Sequence, residues 1–214
     1  MVNNVSASSL RAVALTVAAL TLVGAGGAAL VAYTWNQTGE RIAINERNYS
    51  LRALNQILPA DQYDNNLFED TTTVSDDDLL GSDDPLVAYR ARRDGEAVAA
   101  ILNVIAPDGY SGPIKLLVGI HYDGTLAGVR VVSHNETAGL GDKIEIEKSD
   151  WITTFDGRSL QQPPPAQWAV EQDGGVFDAF TGATITPRAV VEAVRNALIY
   201  FEAHRDLIFA TEPT

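Results

Sequence analysis

Three hydrophobic patterns follow one another along the chain. From Ala12 to Tyr33 there are 22 residues without a charge. As a helix that run is about 33 Å long, enough to cross a bilayer core. Tyr33 and Trp35 close it, as aromatic residues do at a membrane interface. The pattern predicts one transmembrane helix over residues 12–35, after a short polar N-terminus at 1–11. A cleaved signal peptide is the rival reading, because Ala25 to Ala29 offers small residues for cleavage. The run is longer than a signal core of about 7–15 residues and its N-terminal flank holds only Arg11, which favours the retained anchor. Gly24, Gly26 and Gly27 would let another helix approach closely, although glycine is common in such helices anyway. Over 40–58, Ile42, Ile44, Leu51, Leu54, Ile57 and Leu58 predict a membrane-proximal helix that ends before Pro59 and can continue from the span.

Beyond an acidic stretch the period changes from helical to two. Leu86 to Arg93 and Ala97 to Ile105 flank Asp94-Gly95 and predict a hairpin. Ile114 to Tyr122 and Leu126 to Ser133 flank Asp123-Gly124 and predict a second, joined to the first through Asp108-Gly109 and Gly112-Pro113. Trp151, Phe155 and Trp168 fall in a linking region whose Pro163-Pro164-Pro165 excludes regular structure. Val176-Phe177 is a candidate short strand. The third pattern, Val190, Val191, Val194, Leu198 and Phe201, is helical again and predicts a helix from Pro187 to about His204 packed on the sheet. The expected fold is α+β: an antiparallel sheet with a packed C-terminal helix in residues 86–214, joined to the anchor by a membrane-proximal helix and acidic loop over 36–85.

Charge narrows the function classes. The chain has 15 Lys+Arg and 28 Asp+Glu, a formal net charge of −13. All the acidic residues and 14 of the basic ones lie beyond residue 39. Such a surface repels nucleic acid and anionic headgroups. Nine acidic and no basic residues occupy 61–84. A calcium site there would need oxygen ligands at EF-hand-like spacing, which is lacking, so a solvated loop is expected. There is no cysteine, hence no disulfide, thiolate metal site or iron–sulfur ligation from this chain. Redox chemistry would have to come from a bound organic cofactor.

Candidate chemistry gathers at the start of the last helix. Thr186 can serve as N-cap and Pro187 as first helical residue. Thr181, Gly182, Ala183 and Thr184 then place hydroxyls and a glycine where a helix exposes N–H groups and the positive end of its dipole, a setting suited to phosphate. The plain alternative is a helix cap and nothing more. Glu136-Thr137-Ala138-Gly139-Leu140-Gly141 leaves a sheet edge. It is either a glycine turn or a cofactor wall, and it is not a Walker loop, since the spacing differs and no Ser/Thr follows Lys143. His134 alone, without cysteine and among three scattered histidines, is a poor metal ligand, so no metal site is expected.

The stretch Asp178-Ala179-Phe180-Thr181-Gly182-Ala183-Thr184-Ile185-Thr186 resembles the (S/T)GAT flavinylation motif of the FMN-binding domain. His134-Asn135-Glu136-Thr137-Ala138-Gly139-Leu140-Gly141 resembles the H-x-E-T-x-G-L-G signature of the same domain. Ala138 replaces the usual proline, which leaves that turn less rigid. The domain occurs in the G subunit of the Rnf (Rsx) electron-transport complex and in the C subunit of the sodium-translocating NADH:quinone reductase. The wording of the second motif and the 214-residue length favour the Rnf protein.

The resemblance implies FMN held covalently by a phosphoester to Thr184 and attached by a separate magnesium-dependent flavin transferase that uses FAD. Thr181 and Thr186 would bond phosphate oxygens, Gly182 would let the backbone come near without a Cβ, and Ala183 would be a further cofactor-binding residue of the motif. Asp178 would orient the loop or be read by the transferase. Glu136, Thr137, Gly139, Leu140 and Gly141 would wall the isoalloxazine ring. It also implies a single-pass protein of the bacterial inner membrane, with the flavin domain on the periplasmic side and the other members of the Rnf complex as partners. The arginine count around the span points the other way, but long domains translocate largely regardless of it. The chain would carry electrons for the complex and not turn over a substrate alone. It has no Rossmann fingerprint for a nicotinamide cofactor. The alternative class is an anchored, cofactor-free interaction module.

Overall fold

The structure, a computed structural model, describes residues 7–210, with side chains described at residue 11, over 13–35 and from residue 52 onward. Part of the expected polar N-terminus and the side chains of Ile42, Ile44 and Leu51 lie outside the described residues. The chain divides into two compact units, Met1–Asn48 and Tyr49–Thr214. The two expected helices are one: α1 runs Ala7–Ile57 without a break. Within it, Val13–Trp35 has a mean hydropathy of 2.0 and is unburied along its whole length, the reverse of a soluble core helix. It is long and apolar enough to cross a membrane.

The second unit is built on a five-stranded antiparallel sheet in sequential order, β1 (Thr71–Asp76), β2 (Ser82–Arg93), β3 (Glu96–Ala106), β4 (Ile114–His121) and β5 (Leu126–Ser133). Both expected hairpins form at the expected turns. Asp94 and Gly95 have φ of 53° and 81°, the left-handed pair that a tight hairpin requires. Between β1 and β2 lies a single helical turn, α2 (Asp77–Leu80). The last helix, α3 (Ile185–Phe209), lies on one face of the sheet, with Val190, Val194 and Phe201 fully buried against Leu102, Val118 and Ile120.

The acidic stretch is not the loop that its charge suggests. Its β-branched Thr71 to Val74 form edge strand β1, where a half-buried ribbon tolerates acidic neighbours. Asp76 then accepts the Leu79 N–H at 2.8 Å and caps α2, which Gly81 ends at φ 72°. Asp70 also has a structural role. Its carboxylate receives Arg90 Nε at 2.5 Å and Arg92 Nε at 2.9 Å. The same two guanidiniums donate to the Ala210 and Phe209 carbonyls at the end of α3, groups that a helix otherwise leaves unsatisfied.

The other face of the sheet is covered by the last turns of α1. Ala53, Leu54, Ile57 and Leu58 are buried with Ala91, Ala99, Ile101 and Leu117. With both faces covered, β3 is nearly all apolar, which explains why Glu96–Ala106 lacks a clean polar alternation. Ile57 fits a notch made by the cross-strand glycines Gly119 and Gly128. A Cβ at Gly119 would stand 2.1 Å from Ile57 Cγ2, whereas one at Gly128 would find only ordinary contacts of 3.5 Å. Gly119→Ala is therefore expected to lower stability by about 1–3 kcal/mol through overpacking, and Gly128→Ala by clearly less. Urea denaturation of the two variants checks the order, and equal midpoints would refute the notch.

Candidate functional site

The aromatic residues of the linking region form the foundation of the site. Phe155 is fully buried, with ring centroids 4.7 Å from Phe177, 6.4 Å from Trp168 and 5.4 Å from Trp151. Trp151 meets Phe180 edge-on at 5.1 Å and donates its Nε1–H to the Asp178 carbonyl at 2.9 Å. The predicted short strand at Val176-Phe177 is a single bridge from Phe177 to Val170. This cluster holds the backbone on which the Thr181–Thr184 turn is presented. The turn itself closes with Ala183 N–H donating to the Phe180 carbonyl at 3.1 Å, and Gly182 takes φ 83° at its third position, where a type II turn favours glycine.

The start of α3 differs from the sequence expectation. Thr184, not Thr186, is the N-cap, and its side chain makes no capping hydrogen bond. Thr186 is fully buried in the first turn and its hydroxyl donates to Glu136. The reason is burial: a hydroxyl pointing inward needs a partner there, and a carboxylate is a stronger one than the helix N–H groups. Pro187 accordingly stands at the third helical position, where it still removes an N–H that the helix cannot use.

Glu136 is the joint between segments. One carboxylate oxygen takes the Thr186 hydroxyl, and the other accepts the Ser111 N–H at 3.0 Å from the β3–β4 connection. Its own N–H donates to His134 Nδ1 at 3.0 Å, while His134 Nε2 faces Glu145 at 2.9 Å. Because a backbone N–H can only donate, Nδ1 is the acceptor and the Nε2–H form of the ring fits both contacts. Both nitrogens of His134 are thus occupied as a brace. The following loop turns at Gly139, φ 79°, with the Leu140 and Gly141 N–H groups donating to the Thr137 carbonyl. A Cβ on Gly141 would come within 3.0 Å of both Glu136 and Thr186, so that close approach needs glycine.

Together these segments surround an open pocket of about 530 Å³. One wall is Glu136, Thr137, Leu140 and Gly141, and the facing wall is Gly182, Ala183, Thr184 and Thr186. The two sequence motifs therefore meet across one cavity. Tyr110 and Ile185 complete it, and neither carries a signal in the sequence. Three candidates are not in it. Gly139 shapes the turn behind the wall, while Asp178 and Thr181 line a neighbouring cleft of about 430 Å³ with Lys143 and Trp151, because the Gly182 turn sends them to its other side. Among the described residues, no lysine or arginine lines the larger pocket. Arg188, close by on α3, is engaged by Asp173 at 2.5 and 2.9 Å, and its hydrogen bond holds the Asp173 carboxyl below its ordinary range.

The pocket is large enough for a small organic molecule. Its volume lies in the usual small-molecule range. Its lining includes the cap residue of a long helix, with a Thr184 side chain free of any capping bond, and a glycine without Cβ. Tyr110, Leu140 and Ile185 add apolar surface to the same lining.

Comparisons with known proteins identify the family of the chain. Residues 109–199 match the FMN-binding domain family. The chain is 51% identical over 199 residues to the G subunit of the ion-translocating oxidoreductase complex of Pseudomonas aeruginosa, covering 93% of this chain and 92% of that protein. It is 50% identical over 179 residues to the protein of the same name from Vibrio vulnificus, covering 84% of each. A third, from Pseudoalteromonas atlantica, is 47% identical over 181 residues, 85% of this chain and 84% of the relative.

Proposed function

The chain belongs to the family formed by the G subunits of ion-translocating oxidoreductase complexes and contains their FMN-binding domain, and on that premise we propose that it is a membrane-anchored electron carrier in such a complex. FMN is attached by a phosphoester to Thr184. The observation that supports this most directly is the shared pocket in which the Glu136–Gly141 loop faces Thr184. Bound there, FMN would supply reversible electron uptake, which no side chain of a cysteine-free chain provides.

In the attachment step, the Thr184 hydroxyl oxygen bonds to the FMN phosphorus of FAD, the pyrophosphate P–O bond breaks, AMP leaves and the hydroxyl proton is released. A threonine hydroxyl needs activation for this, and no base among the pocket residues is placed to give it: Glu136 is committed to Thr186 and Ser111. Activation by a separate flavin transferase, with this chain as acceptor, is what the family resemblance implies. The Glu136 joint keeps the two walls at fixed separation, and Gly182 gives the phosphorus access to the cap oxygen.

Val13–Trp35 anchors the chain in the inner membrane, with the flavin domain on the periplasmic side and the remaining members of the complex as its partners. The full chain produced with a magnesium-dependent flavin transferase should gain the mass of FMN less one water and give a fluorescent band after boiling in detergent. Without the transferase the band should be dark. A dark band in both preparations would overturn the proposal.

A further inference from the structure

Seven large apolar side chains are exposed beyond residue 35 among the described residues, and three of them, Tyr110, Leu140 and Ile185, line the same pocket. Scattered exposed apolar residues need no explanation, but convergence on a cavity does. Tyr110 is the most exposed of the three, at 67%, against 41% for Leu140 and 44% for Ile185. They arrive from three different segments: the β3–β4 connection, the loop after His134 and the first residue of α3.

Each segment is fixed although the side chains are not. Glu136 ties the first to the third through the Ser111 N–H and the Thr186 hydroxyl, and is itself part of the second. The turn carrying Tyr110 is tight, since a Cβ on Gly109 would stand 2.3 Å from the Gly112 carbonyl oxygen. The backbone beneath Tyr110 is thus held in place while its ring stays uncovered. Among the described residues, Tyr110 is also the only aromatic one lining this pocket.

We propose that Tyr110 is the ring-stacking residue of this site, and that Leu140 and Ile185 complete with it an apolar clasp around the bound flavin. The assignment rests on the FMN reading above. With the phosphate held at Thr184, the clasp decides how the ring lies in the pocket and how much water reaches it. An aromatic face against a flat π-system is a favourable, geometrically specific contact, and the two aliphatic side chains exclude water around it.

The test compares Tyr110→Ala, Tyr110→Trp and Tyr122→Ala in the full chain, made with the flavin transferase and matched for covalent FMN by absorbance after denaturation. A phenol stacked on a flavin quenches its fluorescence by lending an electron to the excited ring and recovering it, with no net chemistry. Native Tyr110→Ala should emit severalfold more per flavin, because the quenching phenol is gone, and its visible circular dichroism should weaken. Tyr110→Trp should remain quenched, and Tyr122→Ala, altered at an exposed tyrosine outside the pocket, should match the unaltered protein. Unchanged emission and dichroism in Tyr110→Ala at equal flavin content would overturn the clasp while leaving the FMN site intact. An unaltered protein that takes up no flavin at all would instead overturn the site, and the clasp with it.

Discussion

Replacing Thr184 with valine is expected to remove all covalently held FMN and leave the domain folded. Valine keeps the branched shape and deletes only the oxygen. That oxygen makes no capping bond, so its loss should change stability by no more than about 0.5 kcal/mol, as for an ordinary surface substitution. The effect on the cofactor should be total because the rival hydroxyls are badly placed. Thr186 is fully buried with its hydroxyl donating to Glu136. Thr181 lines the neighbouring cleft. Thr137 is in the pocket but on the opposite wall, away from the helix start. Intact-mass measurement on the variant produced with the transferase decides the matter. Persistence of the FMN increment would move the attachment to one of these three, and Thr184→Ser should retain it.

The largest loss of stability is expected at Phe155. Truncation to alanine should cost about 3–5 kcal/mol, the range for a buried aromatic side chain, a large share of a typical domain's total. Phe155 is fully buried and stacks on Phe177 while meeting Trp151 edge-on. Such pairs add to the burial term, though not additively. The cavity would also lie beneath the backbone that presents the Thr181–Thr184 turn, since Trp151 grips the Asp178 carbonyl and the Phe180 ring. Phe155→Leu, which refills part of the space, should lose clearly less. Denaturant midpoints for the two variants test this, and a Phe155→Ala protein within about 1 kcal/mol of the original would refute a packed foundation.

The parts of the fold that are legible in the sequence are those whose signals are local. Asp94-Gly95 and Asp123-Gly124 announce their hairpins because few residues accept φ above zero. The long helix α3 follows from spacing alone. Strand β1 is hidden because its charge reads as a mark of solvent, yet Thr71 to Val74 pair with β2 and Asp76 caps a turn. At the site, the two motifs are legible but their mutual arrangement is not. Thr186 reads as a cap until a carboxylate 50 positions upstream is seen to accept its hydroxyl. Asp178 and Thr181 belong to the same motif as Thr184, and one glycine turn divides them between two clefts. Tyr110 carries no signal, because its place at the pocket is set by a tertiary hydrogen bond from the next residue, Ser111.

The way α1 ends limits where this protein could be shed. Ala53 to Leu58 are the lid on the outer side of the sheet, and Ala99, Ile101 and Leu117 lie dry beneath them. Proteolysis just after Leu58 would pull that lid away and present a wet, greasy sheet surface to every other copy nearby, a recipe for clumping. A cut upstream of Tyr49 would release a fragment that keeps its own cover, so the second unit stays intact only when the helix itself is severed.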